Sequence, residues 1–437
     1  MARDFKEFSL ASEAPGEPVP FSSLLASPIQ LPGNPSPGLL RLAQFGGGAV
    51  LAATSCLLSL PITERFLGVS SDQTIHISLA KQLYSTHQLP DPHFLYQALI
   101  ILLVKIAPLS FETAGLIVLS FCYALTGVLL YREAARLLVT GGGTSADLLR
   151  GVLAAVVVAA AILVMQPVIR PGNSQIYRIG YFWSEPYYSP TYSLMKPLAL
   201  ISALSAVAFL KAKPGTVSRL AIVLSAFATV AGALAKPSFV ICLLPALLIF
   251  ALILFFRRQA FDRRAVLFGL FVPAIAVVIL QYWFSYATAN SGVAYQDSIV
   301  FAPLKVMSFY SGHLASRFLL SILFPVAVYV LYWGRARYDT ALNLGFLLFA
   351  CGAGYSYFLA EKVHWSAGNF LWSGYISLFL LFVFSVLFYV GQIHKTDRHG
   401  FVLARHLLAL GILVLHVRSG ILTEIAFLHT PLGHYLR

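Results

Sequence analysis

Long apolar runs alternate with short polar segments over most of this chain, from about residue 42 to about residue 420. Most runs approach the roughly 20 residues that an α-helix needs to cross a bilayer. They predict eleven membrane-spanning helices, at about 42–61, 112–131, 151–168, 194–210, 219–235, 238–256, 265–282, 316–333, 340–360, 371–392 and 402–420. A further apolar stretch, 96–108, is too short to cross and is predicted to dip into the membrane or lie on it.

The composition agrees with this pattern. Of the 437 residues, 58% are hydrophobic and only 11% are charged, whereas soluble proteins average about 45–50% and about 25%. A soluble fold is therefore excluded, and the sequence predicts one all-α polytopic membrane domain over 41–437. A tail rich in Pro, Ser and Gly, 1–40, precedes it and is predicted to be flexible and cytoplasmic. The four cysteines lie inside apolar runs without metal-ligand spacing, which is typical of core residues.

Positive charge predicts the orientation. The formal net charge is +13, but the Lys and Arg residues are scattered between the spans, a distribution that does not indicate nucleic-acid binding. More than half of them lie in short connections that alternation assigns to the side of the N-terminus, which is therefore predicted to be cytoplasmic. The longer segments 62–111, 169–193 and 283–315 are then extracytoplasmic, on the outer face of a cell inner (plasma) membrane.

Acidic residues are few enough to enumerate. Of 17 in the chain, those predicted on the outer face are Glu64, Asp72, Asp91, Glu112, Glu185, Asp297, Glu361 and Glu424. A carboxylate base acting on that face must be one of them.

The first candidate is Asp72, in the segment GVSSDQTIHISLAKQLYSTHQLPDPHF. Serines 70 and 71 can cap a helix, and apolar residues recur every fourth position after them, so an amphipathic helix on the outer membrane surface is predicted. His76 follows Asp72 by four residues, on the same edge, and His93 lies near the end of the segment. An acid in a first turn also complements the helix dipole without any catalytic role.

The second candidate is Glu185, in RPGNSQIYRIGYFWSEPYYSPTYSLMKPLAL, where seven aromatic residues surround one carboxylate. Such faces stack on sugar rings, and tyrosine hydroxyls such as that of Tyr188 add polar contacts. The same composition also describes an interfacial aromatic belt. Arg170 in this segment is a candidate ligand for a phosphate.

Two Lys-Pro pairs, Lys196-Pro197 and Lys236-Pro237, each open a span that is predicted to run from outside to inside. Lysine beside the positive end of a helix favours phosphate. Lysines that snorkel to the membrane interface are the commoner alternative.

The last cluster lies in AEKVHWSAGNFLWSGY, an outer hairpin with charged, amide and indole groups. These groups are candidates for a wall around a polar headgroup, and the alternative is a solvated turn with Trp anchors. The candidates are Glu361, Lys362, His364, Asn369 and Trp372.

The order of these features resembles the GT-C superfamily of membrane glycosyltransferases, which includes oligosaccharyltransferases, protein O-mannosyltransferases and aminoarabinose transferases. In that family a first span precedes an outer loop with an acid near its start, a surface helix and a re-entry into the membrane. Asp72, the helix after it and FLYQALIILLVKIAPLSFETAGLIVLSF look like these parts. The likeness covers about the first 200 residues. The chain lacks a WWDYG-type motif and a soluble C-terminal domain, which counts against protein N-glycosylation.

The resemblance implies further acids in the second outer loop, where Glu185 stands. The type of donor can be inferred without the resemblance. An outward-facing enzyme has no access to nucleotide sugars, so it needs a sugar donor linked to a lipid such as polyprenyl phosphate. We expect Asp72 to act as general base on an acceptor hydroxyl of a glycan, lipid or protein, in an inverting transfer. Glu185 would support it or, with Asp72, hold a divalent cation such as Mg or Mn.

Two alternatives stay open on the sequence. One is a polysaccharide polymerase or ligase that uses polyprenyl-linked glycans. The other is a flippase or transporter for lipid-linked oligosaccharides, which would carry ionisable groups or broken helices near the middle of the membrane.

Overall fold

The computed structural model describes residues 37–89, 91–139, 144–169, 180–286, 298–395 and 400–431. This part of the chain is almost entirely helical and contains two short strands. Its helices are α1 Pro37–Leu67, α2 Asp72–Thr86, α3 Leu95–Ile106, α4 Phe111–Leu138, α5 Ser145–Val164, α6 Pro190–Lys211, α7 Arg219–Ala235, α8 Ser238–Phe256, α9 Arg263–Val266, α10 Val272–Tyr286, α11 Lys305–Tyr310, α12 Leu314–Ser321, α13 Leu323–Leu331, α14 Trp333–Ala336, α15 Thr340–Phe358, α16 Leu371–Lys395 and α17 Gly400–His429.

The prediction of an all-α polytopic protein is confirmed. Within the described ranges, nine helices are long and apolar enough to cross a membrane, with α9 and α10 joined by a π-helical turn into one of them. A tenth span results if α12 and α13, which meet at a bend of 60°, count as one. The predicted span 219–235 is α7, whose 17 residues make it shorter than the others.

Three predicted boundaries are corrected. Helix α1 begins at Pro37, inside the segment predicted to be a tail, and the rest of that tail lies outside the described residues. Helix α6 begins at Pro190, because proline is suited to the first helical turn. Helix α17 continues to His429, well past the predicted end near 420, because a helix with a buried partner tolerates polar residues that a hydropathy pattern does not.

The short apolar stretch is helix α3, as predicted. Its 12 residues span roughly 18 Å, well short of the roughly 30 Å hydrocarbon layer. Helix α3 packs between α2 and α4. Helices α2 and α3 therefore form a cap over one end of the bundle.

Contacts between helix ends define the two ends of the bundle. At the end that carries α2 and α3, Arg65 of α1 donates to the carbonyl of Thr430 after α17 at 3.0 Å, and Gln281 of α10 donates to the carbonyl of Pro92 at 3.2 Å. At the opposite end, Arg335 of α14 donates to Gln392 of α16 at 2.8 Å. We call the first the site end.

The strands also lie at the site end. Strand β1, Ile299–Phe301, pairs antiparallel with β2, Leu359–Glu361, with Ile299 opposite Glu361. This small sheet joins the segment before α11 to the hairpin between α15 and α16.

Candidate functional site

Asp72 is the first residue of α2, as predicted. Ser71 is the N-cap, and its hydroxyl and that of Thr74 bond each other's backbone N–H groups in a capping box. The helix turns Gln73, His76, Ile77 and Ala80 toward the protein. Capping thus sets where α2 begins and holds Asp72 at the junction between the cap and the bundle.

A chain of polar side chains joins Asp72 to Lys236. The Ser189 hydroxyl donates to the Asp72 carboxylate, and the Ser189 Oγ atom lies 3.5 Å from the Thr191 Oγ1 atom. The buried ammonium of Lys236 donates to Thr191 Oγ1 at 3.2 Å and lies 4.2 Å from the ring centroid of Trp372. The start of α6, which contributes Ser189 and Thr191, therefore bridges the carboxylate and the cation.

A carboxylate–imidazole pair lies beside them. Nδ1 of His93 is 2.6 Å from Oδ1 of Asp91, which also accepts the backbone N–H of His93 at 3.0 Å. The His93 ring centroid lies 6.0 Å from that of His76, and the Gln97 amide donates to Nδ1 of His76 at 2.9 Å. We call Asp72, His76, Asp91, His93 and Lys236 the Asp72 cluster.

Burial and charge tune the cluster. Burial raises the pKa of Asp72, and the charge of Lys236, the bond from Ser189 and the charge of His93 only partly oppose it. Burial also lowers the pKa of His76 to about 3, with Lys236 and His93 adding to the effect. Asp72 is therefore a stronger base than a free aspartate, and His76 is neutral at physiological pH.

The pKa values of Asp91 and Lys236 depend both on burial and on neighbouring charges. Burial favours the neutral form of Asp91, but its bonds to His93 and the charge of that ring outweigh burial and lower the Asp91 pKa. Burial lowers the pKa of Lys236, which lies between α7 and α8, while Asp72 and Asp91 act to raise it. His93 is thus paired with Asp91, and Lys236 lies within electrostatic reach of both carboxylates.

Glu185 does not join the Asp72 cluster, contrary to the expectation of one shared site. It is buried and forms an ion pair with Lys196, whose ammonium also lies 4.3 Å from the ring centroid of Phe379. Because α6 begins at Pro190, Lys196 stands in its second turn and does not open the span. Lys196 is therefore a partner of Glu185 inside the bundle and not a cation on the outer surface.

The aromatic segment around Glu185 folds inward as well. Of its described members, Tyr181, Phe182, Trp183, Tyr187 and Tyr192 are buried. Tyr188 is partly exposed, and its ring centroid lies 5.6 Å from that of Trp372. Most of this segment is therefore core, and neither the predicted surface belt nor the predicted sugar platform describes it. Tyr188 and Trp372 remain as an aromatic pair beside Lys236.

Glu424, which the sequence predicts only as one of eight acids on the outer face, belongs to a second buried group. It lies on α17, and the Tyr187 hydroxyl donates to it at 2.8 Å. Glu185, Lys196, Tyr187 and Glu424 line one cavity. In the sequence, the feature that marks Glu424 is its position a few residues beyond the last predicted span.

The hairpin candidates separate. The Asn369 amide donates to Glu361 at 2.7 Å, whereas the side chains of Lys362 and His364 are exposed. Trp372, on the first turn of α16, instead contacts Lys236. Of the hairpin wall, the structure therefore brings Trp372 to the Asp72 cluster.

Arg170 and Asp297 lie outside the described residues. Within the described part of the chain, no three His, Cys, Asp or Glu side chains converge on a point that could hold a metal ion. Asp72 and Glu185, predicted to share a divalent cation, each have a lysine neighbour of their own. A metal requirement stays a prediction.

The chain matches no protein-family model and no curated protein. The geometry of the site is therefore the basis for assigning a function.

Proposed function

We propose that this protein is a membrane glycosyltransferase of the GT-C type that moves a sugar from a polyprenyl-phosphate-linked donor to an acceptor hydroxyl. The observation that carries the proposal is the partly exposed Asp72, held by Ser189 at the site end within electrostatic reach of the buried Lys236. A base and a cation side by side are what displacement of a phosphate by a hydroxyl needs.

The reaction requires a proton acceptor and a stabilised leaving group. The acceptor oxygen attacks the anomeric carbon, its proton passes to Asp72, and the bond from that carbon to the phosphate oxygen breaks with the electron pair staying on the phosphate. Lys236 supports the charge that develops there. The first residues of α2 and α6 lie beside Asp72 and Ser189, so two positive helix ends add to this stabilisation. At Lys236 the positive end of α8 is offset by the negative end of α7, which stops at Ala235.

The remaining residues of the cluster would orient the substrates. His93, held by Asp91, and the aromatic pair of Tyr188 and Trp372 border Asp72 and Lys236 and offer a donor and stacking faces for a sugar. The site end would face the extracytoplasmic side of the plasma membrane, with the lipid tail of the donor in the bilayer. The acceptor would be a glycan, a lipid or a protein.

The test is transfer by the purified protein in proteoliposomes. Labelled polyprenyl-phosphate hexose and pentose serve as donors, and a lipid and glycan extract of the source membranes serves as acceptor. Asp72→Asn should reduce transfer at least about 100-fold, the lower range for a general base. Glu112→Gln, which removes an exposed acid paired with Lys81 at 2.7 Å, is the matched control and should retain transfer. Full activity of Asp72→Asn would reject the proposal.

A second candidate function is transport of a lipid-linked glycan. The observation that favours it is the buried group of Glu185, Lys196 and Glu424 among the helices, together with the bend of 60° between α12 and α13. The same proteoliposomes separate the two functions. Movement of the labelled donor across the bilayer with its sugar still attached would support transport, whereas release of the polyprenyl phosphate supports transfer.

A further inference from the structure

Three ionisable side chains lie together inside the helix bundle. Glu185 pairs with Lys196 of α6, and Glu424 of α17 lines the same cavity. The relative exposure of each residue is below a tenth: 4% for Glu185, 3% for Lys196 and 7% for Glu424. We call them the interior triad.

The triad lies inside the bundle, below the site end. Ser55 of α1 and Tyr123 of α4 line the same cavity. Each lies roughly 18 Å along its helix from the site end, at about 1.5 Å per residue. Lys196 and Glu424 lie nearer to that end, six residues from the start of α6 and five residues from the end of α17, which is roughly 9 Å and 8 Å along their helices.

The charges of the triad do not balance if every group is ionised. Two carboxylates and one ammonium leave one negative charge in a buried space, which is strongly unfavourable. The groups that face Glu424 are Tyr187 and Glu185 from the segment before α6, Lys196 from α6 and Tyr123 from α4. The ammonium of Lys196 is the cation among them.

The helix α1 adds no second cation to the cavity. Its Arg65 donates to the carbonyl oxygens of Phe427 and Thr430, at the end of α17. Hydroxyl groups from Ser55 and Ser59 of α1 and Thr126 of α4 complete the polar lining. One bound proton makes the triad neutral, and among the described residues that line the cavity Lys196 is the only cation.

The hydrogen bonds indicate which carboxyl group carries that proton. Glu185 has the ammonium of Lys196 as its counter-ion, whereas Glu424 accepts a hydrogen bond from the neutral hydroxyl of Tyr187. An ammonium stabilises the ionised form of a carboxyl group far more than a phenol does. The proton therefore belongs on Glu424.

A second observation points to a ligand between the groups. The Oε1 atom of Glu185 and the Oγ atom of Ser55 are both buried and have no hydrogen-bond partner among the described protein atoms. Both residues line the cavity, which leaves about 10 Å³ for the centre of a water-sized sphere. That is space for roughly one water molecule with polar partners.

We propose that the interior triad is a proton-binding site, in which Glu424 holds a proton that it shares with Glu185 through one buried water. Proton binding converts the Glu424 carboxylate into a carboxylic acid, and the Glu185–Lys196 ion pair stays intact. Lys196 repels a metal or sodium ion, so the ligand is a proton with its water. The site is independent of sugar transfer and would exist in a transferase or a transporter.

Infrared spectroscopy of the protein in lipid nanodiscs tests the proposal directly, because a buried carboxylic acid has a C=O stretching band that carboxylates lack. The wild-type protein at pH 7 should show such a band, and it should shift on exchange into deuterated water. Glu424→Gln should remove the band, while Glu112→Gln, at an exposed position, should leave it. Absence of the band from the wild type, or its persistence in Glu424→Gln, would overturn the proposal.

Thermal unfolding provides a second measurement that does not depend on the spectrum. Gln at position 424 imitates the protonated acid, so Glu424→Gln should unfold near the wild-type temperature. Lys196→Met should unfold at a clearly lower temperature, and adding Glu185→Gln to it should restore most of the loss. A large drop for Glu424→Gln would show that this carboxyl group is ionised, which contradicts the proposal. An increase in the unfolding temperature of the wild type on addition of sodium would show that the site binds a metal ion and not a proton, which also contradicts the proposal.

Discussion

At the scale of single residues, burial decides the protonation of His76. Its ring faces the protein from α2 and accepts a hydrogen bond from the Gln97 amide. Burial lowers the pKa of His76 to about 3. The unfolded chain, in contrast, binds a proton at this position below about pH 6.5. Folding therefore excludes a proton that the unfolded state takes up, and the stability due to His76 is lost as the pH falls below 6.5.

This linkage predicts a measurable slope. Between pH 6.5 and pH 5 the free energy of unfolding should decrease by about 2 kcal/mol through His76 alone. His76→Asn should reduce the fall in unfolding temperature across this range, measured in detergent. His87→Asn is the control, because His87 is exposed and adopts a positive φ of 56° that asparagine tolerates. An unchanged slope in His76→Asn would mean that His76 is accessible to protons in the folded protein.

At the scale of helices, glycine allows the neighbouring spans α15 and α16 to approach closely. A Cβ atom on Gly352 of α15 would lie 2.3 Å from Ser377 Oγ and 2.4 Å from the Ser373 carbonyl oxygen of α16. Small residues on both helices thus bring the backbones together, as in many membrane helix pairs. This contact sets the position of α16, which carries Trp372 beside Lys236.

Substitution by alanine should therefore have different effects on stability at two glycines of α15. Gly352→Ala should destabilise the protein by about 1–3 kcal/mol, the usual cost of overpacking. Gly354→Ala, where a Cβ atom meets nothing within 4 Å, should be neutral or stabilising by up to about 1 kcal/mol, since alanine favours the helix. Unfolding temperatures of both variants check this. Equal effects would show that α15 and α16 are not in close contact at Gly352.

At the scale of the whole molecule, the bundle has two distinct ends, and the positive-inside pattern predicts which one is outside. Ser85 near the end of α2 and Lys213 between α6 and α7 are both exposed, and alternation of the spans assigns them to opposite sides. The Ser85→Cys variant should react with a membrane-impermeant thiol reagent in intact cells. The Lys213→Cys variant should react only after permeabilisation.

The four native cysteines are buried or half-buried, so the unsubstituted protein is the background control. The reverse labelling pattern would place the Asp72 cluster on the cytoplasmic side. The cluster would then have access to nucleotide-linked sugars, and the main reason for proposing a lipid-linked donor would no longer hold.

Local pattern was sufficient for several parts of the site. Ser71 and Asp72 were predicted at the start of a helix because capping depends on neighbouring residues. The short stretch that became α3 was predicted not to cross because length alone decides it. The predicted start of α6 was wrong, since the first turns of this helix, from Pro190 on, contain polar residues that are buried. A hydropathy pattern does not detect such turns.

By itself, then, the sequence determined the membrane environment, the helical class and the position of nearly every apolar span, because these follow from the cost of exposing backbone and charge to lipid. It also singled out Asp72, Glu185, Lys196 and Lys236. Only the tertiary structure decided how they pair: Lys236 with Asp72 at the site end, and Lys196 with Glu185 inside, where α17 adds Glu424. Pairing depends on which helices are neighbours in space, and a hydropathy pattern carries no information about the neighbours of a helix.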